Sequence, residues 1–199
     1  MFGQFNPANR AIGDAADIGT DKVFNFEDVD GGSGHDSIFG SAAANELWGN
    51  DGDDNLLGLA GKDILQGGNG IDDLVGGAGS DILDGNDGLA NDGDTDTFHY
   101  RKLSDSTPGV SGRDIIENFE DGVALFDFTA INDTIGGTMF FIGVNSKFGQ
   151  TFPGDLRVMT TGAGWLVQLD AGTNGSVDLA IEVMDIDHSI VWDPVIFLV

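Results

Sequence analysis

Cysteine is absent from the 199 residues of the chain. That absence excludes disulfide staples, thiolate metal sites and thiol catalysis together. Positive charge is scarce as well: 8 Lys+Arg stand against 34 Asp+Glu, a formal net charge of −26. Nucleic acid is excluded as a partner by this balance, because phosphate binding needs clustered Lys and Arg. Anionic membrane surfaces are excluded for the same reason. No stretch approaches the roughly 18 apolar residues of a membrane span, so none is expected. Residues 1–14 hold no basic stretch followed by an apolar core, and no Sec-type signal is expected there. Proline is limited to 4 residues, whereas glycine reaches 32. The apolar fraction of 40% suffices for a core, so disorder from low hydrophobicity is not forced. A chain this rich in Gly and Asp, without disulfides, needs another source of stability.

What is there is a repeat. Six nine-residue units run without a gap from Gly31 to Asp84: GGSGHDSIF, GSAAANELW, GNDGDDNLL, GLAGKDILQ, GGNGIDDLV and GGAGSDILD. Each opens with Gly (Gly31, Gly40, Gly49, Gly58, Gly67, Gly76). The sixth residue is Asp36, Asn45, Asp54, Asp63, Asp72 or Asp81, and the eighth is Ile38, Leu47, Leu56, Leu65, Leu74 or Leu83. After an insertion, NDGDTDTFHY reads as a degenerate seventh unit with Asp96 and Phe98 in those places.

Each place has a physical reading. Glycine-rich turns admit positive φ and close backbone packing. The last three residues of a unit form a short strand, and alternation turns the eighth side chain to one face. Two units make one coil, so residues 18 apart stack and leucines from both sides meet in a thin core. The turns then stack Asp carboxylates and carbonyls into an all-oxygen cage suited to Ca²⁺, and folding is expected to be coupled to the ion.

This pattern resembles the RTX nonapeptide G-G-x-G-x-D-x-U-x, a Ca²⁺-binding repeat. The resemblance implies an all-β fold: a parallel β-roll over residues 30–100, followed by a β-sandwich-like part over 101–199, with 1–29 as an N-terminal cap. Ca²⁺ between turns is implied, held on one side by the pairs Asp36/Asp54, Asp54/Asp72 and Asp72/Asp96, and on the other by Asp63/Asp81. The glycines of the family pattern fall at Gly32, Gly34, Gly52, Gly61, Gly68, Gly70, Gly77 and Gly79. Asn45, Ala43 and Leu59 depart from the pattern, and the Asn45/Asp63 site is expected to be weakest.

Downstream, FHYRKLSDSTPGVSGRDIIENFEDGVALFDFTAI is similar to the segment that follows the repeats in serralysin-type proteases and other type I secreted proteins. By that resemblance Asp114 completes a site with Asp81, whereas Ala124 stands where the family has Asp. Short strands are expected in MFFIGV, LRVMTT, GWLVQLD, VDLAIEV and PVIFLV. Asp170, Asn174 and Asp178 match the family's C-terminal acidic loop but read as a β-turn. AIGDAADIG is open to a short helix, KVFNFEDV to a strand. The end, WDPVIFLV, resembles an uncleaved type I secretion signal, with Asp193 ahead of an apolar tail; it equally suits a terminal core strand.

Catalytic constellations are missing. His35, His99 and His188 are scattered rather than set in H-E-x-x-H, and no G-x-S-x-G elbow exists. The expected function is a non-catalytic Ca²⁺-binding module of a bacterial protein secreted through the type I apparatus of a Gram-negative cell, acting as a monomer beside an upstream catalytic domain. The alternative is a carbohydrate-binding module of a secreted polysaccharide-modifying enzyme, resembling an alginate epimerase. Phe39, Leu57 and Val75 are expected to form one outward stripe of ninth-position residues, Trp48, Gln66 and Asp84 the other.

Overall fold

The structure, a computed structural model, describes residues 4–6, 10–12, 22–24, 27–86, 94–119, 124–135, 139–144, 154–162, 164–172, 174–184 and 197–198. Its strands are β1 (Gln4–Asn6), β2 (Arg10–Ile12), β3 (Lys22–Phe24), β4 (Asp28–Ser33), β5 (Ser37–Phe39), β6 (Glu46–Asp51), β7 (Asn55–Gly61), β8 (Ile64–Asn69), β9 (Asp73–Gly79), β10 (Ile82–Asp84), β11 (Thr97–His99), β12 (Asp114–Glu117) and β13 (Leu125–Asp127). After them come one short helix, α1 (Thr129–Ile135), and β14 (Phe140–Val144), β15 (Asp155–Thr160), β16 (Gly164–Asp170), β17 (Leu179–Met184) and β18 (Phe197–Leu198).

Successive strands of the repeats alternate between two sheets. One sheet runs β1-β2-β4-β6-β8-β10-β12-β17-β16-β15-β14, the other β18-β13-β11-β9-β7-β5-β3. Within the roll the neighbours are parallel and offset by two units: Leu47 lies beside Leu65, and Leu56 lies between Ile38 and Leu74. The eighth-position residues Ile38, Leu47, Leu56, Leu65, Leu74 and Leu83 are at most 1% exposed, and Phe98 continues the row. They face one another from the two sheets, so each unit buries one apolar side chain through the coil.

The fold is all-β, and the roll passes into its C-terminal part without a break in either sheet. β12 pairs with β17 in parallel, after which β17, β16 and β15 run antiparallel. Here alternation buries Leu156, Val158, Val167, Leu169, Ile181 and Val183. In the second sheet β18 pairs with β13. Phe197 stacks on Phe126 at 5.7 Å and on Phe128 at 6.2 Å, so β18 joins the core through Phe197.

Most expected C-terminal strands are present as β14–β18. At the N-terminus, Lys22–Phe24 and Asp28–Ser33 are strands of opposite sheets, and Ala11 and Ile12 belong to β2; residues 13–19, the rest of the candidate helix, lie outside the described residues. Helix α1 was not legible from the pattern. Its start is held by Asp127, whose Oδ1 accepts the Thr129 N–H at 2.8 Å and the Thr129 hydroxyl, an Asx turn that leads into a helical turn. Of the ninth-position residues, Phe39, Leu57, Trp48 and Gln66 are half-buried, while Val75 and Asp84 are buried. His99 has a structural role that its sequence context does not reveal. On the outer face of its sheet it bridges three strands, with Nδ1 2.7 Å from Asp127 and Nε2 2.9 Å from Asp73. His35 is exposed and contacts Asp53.

Candidate metal centre

The turns at the two edges of the roll stack the sixth-position side chains into two ladders. On one side the backbone N–H of Asp36 donates to Oδ1 of Asp54 (2.7 Å), that of Asp54 to Asp72 (2.7 Å), and that of Asp72 to Asp96 (3.0 Å). On the other side Asn45 donates to Asp63 (2.8 Å), Asp63 to Asp81 (2.9 Å), and Asp81 to Asp114 (2.9 Å). All eight residues are at most 2% exposed. The structure thus brings together every pair inferred from the sequence, including Asp81 with Asp114 across an interval of 33 residues.

The second carboxylate oxygen of five rungs is in a different situation. Oδ2 of Asp54, Asp63, Asp72, Asp81 and Asp114 is buried without a hydrogen-bond partner. Buried polar atoms are rarely left so, and a buried unpaired charge is costly. First-position glycines make the space. A Cβ on Gly67 would stand 2.2 Å from Asp72 Oδ2 and 2.6 Å from the Gly85 carbonyl oxygen; on Gly49 it would stand 2.2 Å from Asp54 Oδ2 and 2.5 Å from the Gly67 carbonyl oxygen. Backbone carbonyls therefore accompany the carboxylates in each turn.

The remaining pattern glycines stack in register. Gly34, Gly52 and Gly70 form one column and Gly61 and Gly79 another, each within close reach of the preceding carbonyl. Gly32 lies beside Asn50 and Asn50 beside Gly68, while Gly77 lies beside Leu59. Gly68 needs its hydrogen side chain: φ is +115°, and a Cβ would meet the Asn50 carbonyl at 1.9 Å.

The ends of the ladders were not fully readable from spacing. Ala124 occupies the rung beyond Asp96, since the Leu125 N–H donates to Asp96 as the Thr97 N–H does to Asp72; with no carboxylate there, the first ladder stops. On the other side Ser106, fully buried, takes the next place. Its hydroxyl accepts the Asp114 N–H at 2.9 Å and donates to the Ala180 carbonyl. Tyr100 was also missed. Burial, with the Asp114 and Asp81 charges, raises its phenol well above the usual value and keeps it protonated. At the other end Asn45 accepts the Ser41 N–H at 2.7 Å and donates to the Glu27 carbonyl, so its amide is engaged locally. Asp170, Asn174 and Asp178 each accept a backbone N–H in the turn between β16 and β17.

Burial raises five ladder carboxyls far above an ordinary Asp: Asp63 to about 6 by burial alone, and, with added repulsion from neighbouring carboxylates, Asp54 and Asp81 to about 7, Asp72 to about 8 and Asp114 to about 9. Protons or cations must therefore neutralise the stacks. Because these folded-state values exceed the unfolded value of 3.8, the metal-free fold holds more protons than the unfolded chain. The stability these carboxyls contribute is fully present below the unfolded value and is lost as pH rises through the folded values of about 6 to 9. In chelator, acidification from pH 8 to pH 5 is expected to increase β-sheet circular dichroism; a signal that falls instead would contradict this assignment.

Among the described residues no three His, Asp or Glu side chains gather as a metal-binding group. Two carboxylates with carbonyl oxygens are a hard, all-oxygen donor set, suited to Ca²⁺ rather than to zinc. Orphaned buried oxygens, glycine-lined space and oxygen chemistry all fit Ca²⁺.

Parallel strands that wind between two sheets, with stacked acidic turns at their edges, define a calcium-binding β-roll. Residues 30–65 and 66–88 match the family model of the RTX calcium-binding nonapeptide repeat (4 copies), so this segment is built of RTX repeats. Among solved structures the chain is similar to the AlgE6R3 subunit of the Azotobacter vinelandii mannuronan C5-epimerase, at 19% identity and a TM-score of 0.41, over 90% of this chain and 80% of that one. It is likewise similar to the AlgE6R2 subunit of that epimerase, at 18% identity and a TM-score of 0.41, over 97% of this chain and 94% of that one. No curated protein matches. Among the described residues no helix is long and apolar enough to cross a membrane.

Proposed function

We propose that the chain is a non-catalytic Ca²⁺-binding module of a bacterial protein secreted by the type I route. It stays loosely folded in the Ca²⁺-poor cytosol and closes into its roll outside the cell. The carrying observation is the row of buried, unpartnered Oδ2 atoms on Asp54, Asp63, Asp72, Asp81 and Asp114. The proposed ligands are the carboxylates of Asp36, Asp54, Asp72 and Asp96 on one side and of Asp63, Asp81 and Asp114 on the other, with Asn45 at the weak end and turn carbonyls completing each set. In this reading residues 1–29 cap the roll, 30–100 form it, and 101–199 close it and carry the export signal around Asp193. Bound Ca²⁺ would supply the positive charge that the stacked carboxylates lack. The protein's own part is to hold two carboxylates per turn pair in register and to exclude water from between them. Extracellular modules bind Ca²⁺ weakly, at about 10⁻⁴–10⁻³ M, so cytosolic levels leave such sites empty.

Asp72→Asn removes one charge while keeping the acceptor for the Asp54 N–H. The Ca²⁺ midpoint of folding is expected to rise about tenfold, from loss of a ligand charge, and the stoichiometry by calorimetry to fall. Asp133→Asn, on the exposed face of α1, serves as control. An unchanged midpoint in Asp72→Asn would remove Asp72 from the ligand set, and a wild-type chain fully folded in chelator at neutral pH would sink the switch.

A further inference from the structure

The cations of this acidic chain are few, and only Arg101 and Lys102 are adjacent. Both are exposed, and among the described residues neither forms an ion pair with a carboxylate. They sit on the rim of a cavity of about 300 Å³ whose floor is Leu103, Ile131 and Ile135. Ile131 is part of the buried core, and Leu103 and Ile135 pack against it half-buried. A second cavity of about 190 Å³ shares Arg101 and Lys102 and continues onto the roll at Leu59. The two cavities form an apolar trough crossed by the basic pair. One carboxylate lines it, that of Asp105, and its Oδ2 accepts the backbone N–H groups of Arg101 and Lys102 at 2.8 Å each. That carboxylate is buried, and the bonds fix the bend that carries both cations.

Leu59 supplies the apolar wall at the roll end of the trough. It has φ +80° and is 44% exposed, at a repeat position where other units have Gly68 and Gly77. A leucine in the left-handed region is strained by its Cβ, and its side chain here gains little burial in return. The same left-handed turn recurs at Asn50, with φ +79°, so the backbone belongs to the repeat and the exposed leucine side chain is what this unit adds to the trough.

We propose that this trough binds a small anionic amphiphile: a monocarboxylate with an aliphatic body. The apolar floor takes the body and the Arg101–Lys102 rim takes the carboxylate, Arg through its planar fork of donors. A volume of about 300 Å³ corresponds to roughly ten water-sized atoms and stands at the lower limit of small-molecule sites. The charge selects the head group, because elsewhere the surface of a chain at −26 repels anions.

The test is a methyl and amide NMR titration of the full Ca²⁺-loaded chain with octanoate, at constant free Ca²⁺. Octanol and octyltrimethylammonium provide the same body with a neutral or a positive head. Octanoate is expected to give saturable shifts confined to Leu59, Leu103, Ile131, Ile135 and the 101–104 backbone. Octanol is expected to bind about tenfold more weakly, the loss of one charge-assisted hydrogen bond. The double variant Arg101→Glu, Lys102→Glu, at exposed positions, should keep the remaining spectrum and lose octanoate binding. Leu59→Gly should raise the thermal midpoint, by relief of the backbone strain, and weaken octanoate binding. Equal binding of octanol and octanoate overturns the proposal, as does octanoate binding that survives charge reversal. Shifts that never saturate, or that spread over the whole surface, also overturn it.

Discussion

Chelation of Ca²⁺ at pH 8 is expected to abolish the β-sheet circular dichroism of the repeat segment, and millimolar Ca²⁺ to restore it cooperatively. The expectation follows from what the roll lacks. Each nine-residue unit buries one eighth-position apolar side chain, Ile38 through Leu83, with Val75 the one further addition among them, while the ordering of nine backbones and of a glycine-rich turn opposes folding. Against that thin core stand two stacks of buried carboxylates 18 residues apart, repelling along the stack and raised to about 7 at Asp54 and about 8 at Asp72. At pH 8 much of that charge must form in a desolvated place unless a cation compensates it. Mg²⁺ is expected to substitute poorly, since it demands octahedral geometry and gives up its waters reluctantly. Far-UV circular dichroism with back-titration measures this directly. Retention of the full β signal in chelator at pH 8 would mean that hydrogen bonding and the leucine rows suffice without ions.

The second large effect concerns a single methyl group. Gly67→Ala is expected to destabilise the Ca²⁺-loaded chain by about 3 kcal/mol or more, the upper range for overpacking a rigid site. Its Cβ would stand 2.2 Å from Asp72 Oδ2 and 2.6 Å from the Gly85 carbonyl. Neither neighbour can yield freely: the Asp72 carboxylate is held through Oδ1 by the Asp54 N–H, and Gly85 O accepts the Gly68 N–H at 2.9 Å. Moving either disturbs a proposed ligand, so Ca²⁺ affinity should fall together with stability. Gly109→Ala is the matched control. A Cβ there meets nothing within 4 Å, and the backbone at φ −75° accepts any residue. Thermal or denaturant unfolding in saturating Ca²⁺ separates the two variants. Equal stabilities would show that the turn accommodates the added methyl and would overturn this expectation.

How much of this was legible beforehand follows from what is local. A nine-residue period carries its own geometry: a turn, a strand and an offset of 18 between stacked positions. Gly at the first place, Asp at the sixth and Leu at the eighth therefore determined the roll, the inward row and the two ladders from Asp36 to Asp96 and from Asn45 to Asp81. The 18-residue spacing follows because two units complete one coil. The later strands were readable by alternation and by their turn residues. Even Ala124 could be seen to stand where a carboxylate was due, and its register beside Asp96 explains why that ladder ends.

Only the tertiary structure decided how the ladders close and what surrounds them. Ser106 terminates the second ladder through a hydroxyl eight residues before Asp114 and 74 residues before Ala180, a contact with no period to reveal it. His99 meets Asp73 and Asp127 from two other strands. Helix α1, begun by the Asp127–Thr129 turn, packs Ile131 into the core and places Ile135 near Arg101 and Lys102. Each of these depends on where a nonrepetitive segment lands on a sheet. A repeat determines its own stacking because each unit meets a copy of itself. A segment that meets something unlike itself is positioned by packing with distant residues, and that information exists only once the chain has folded.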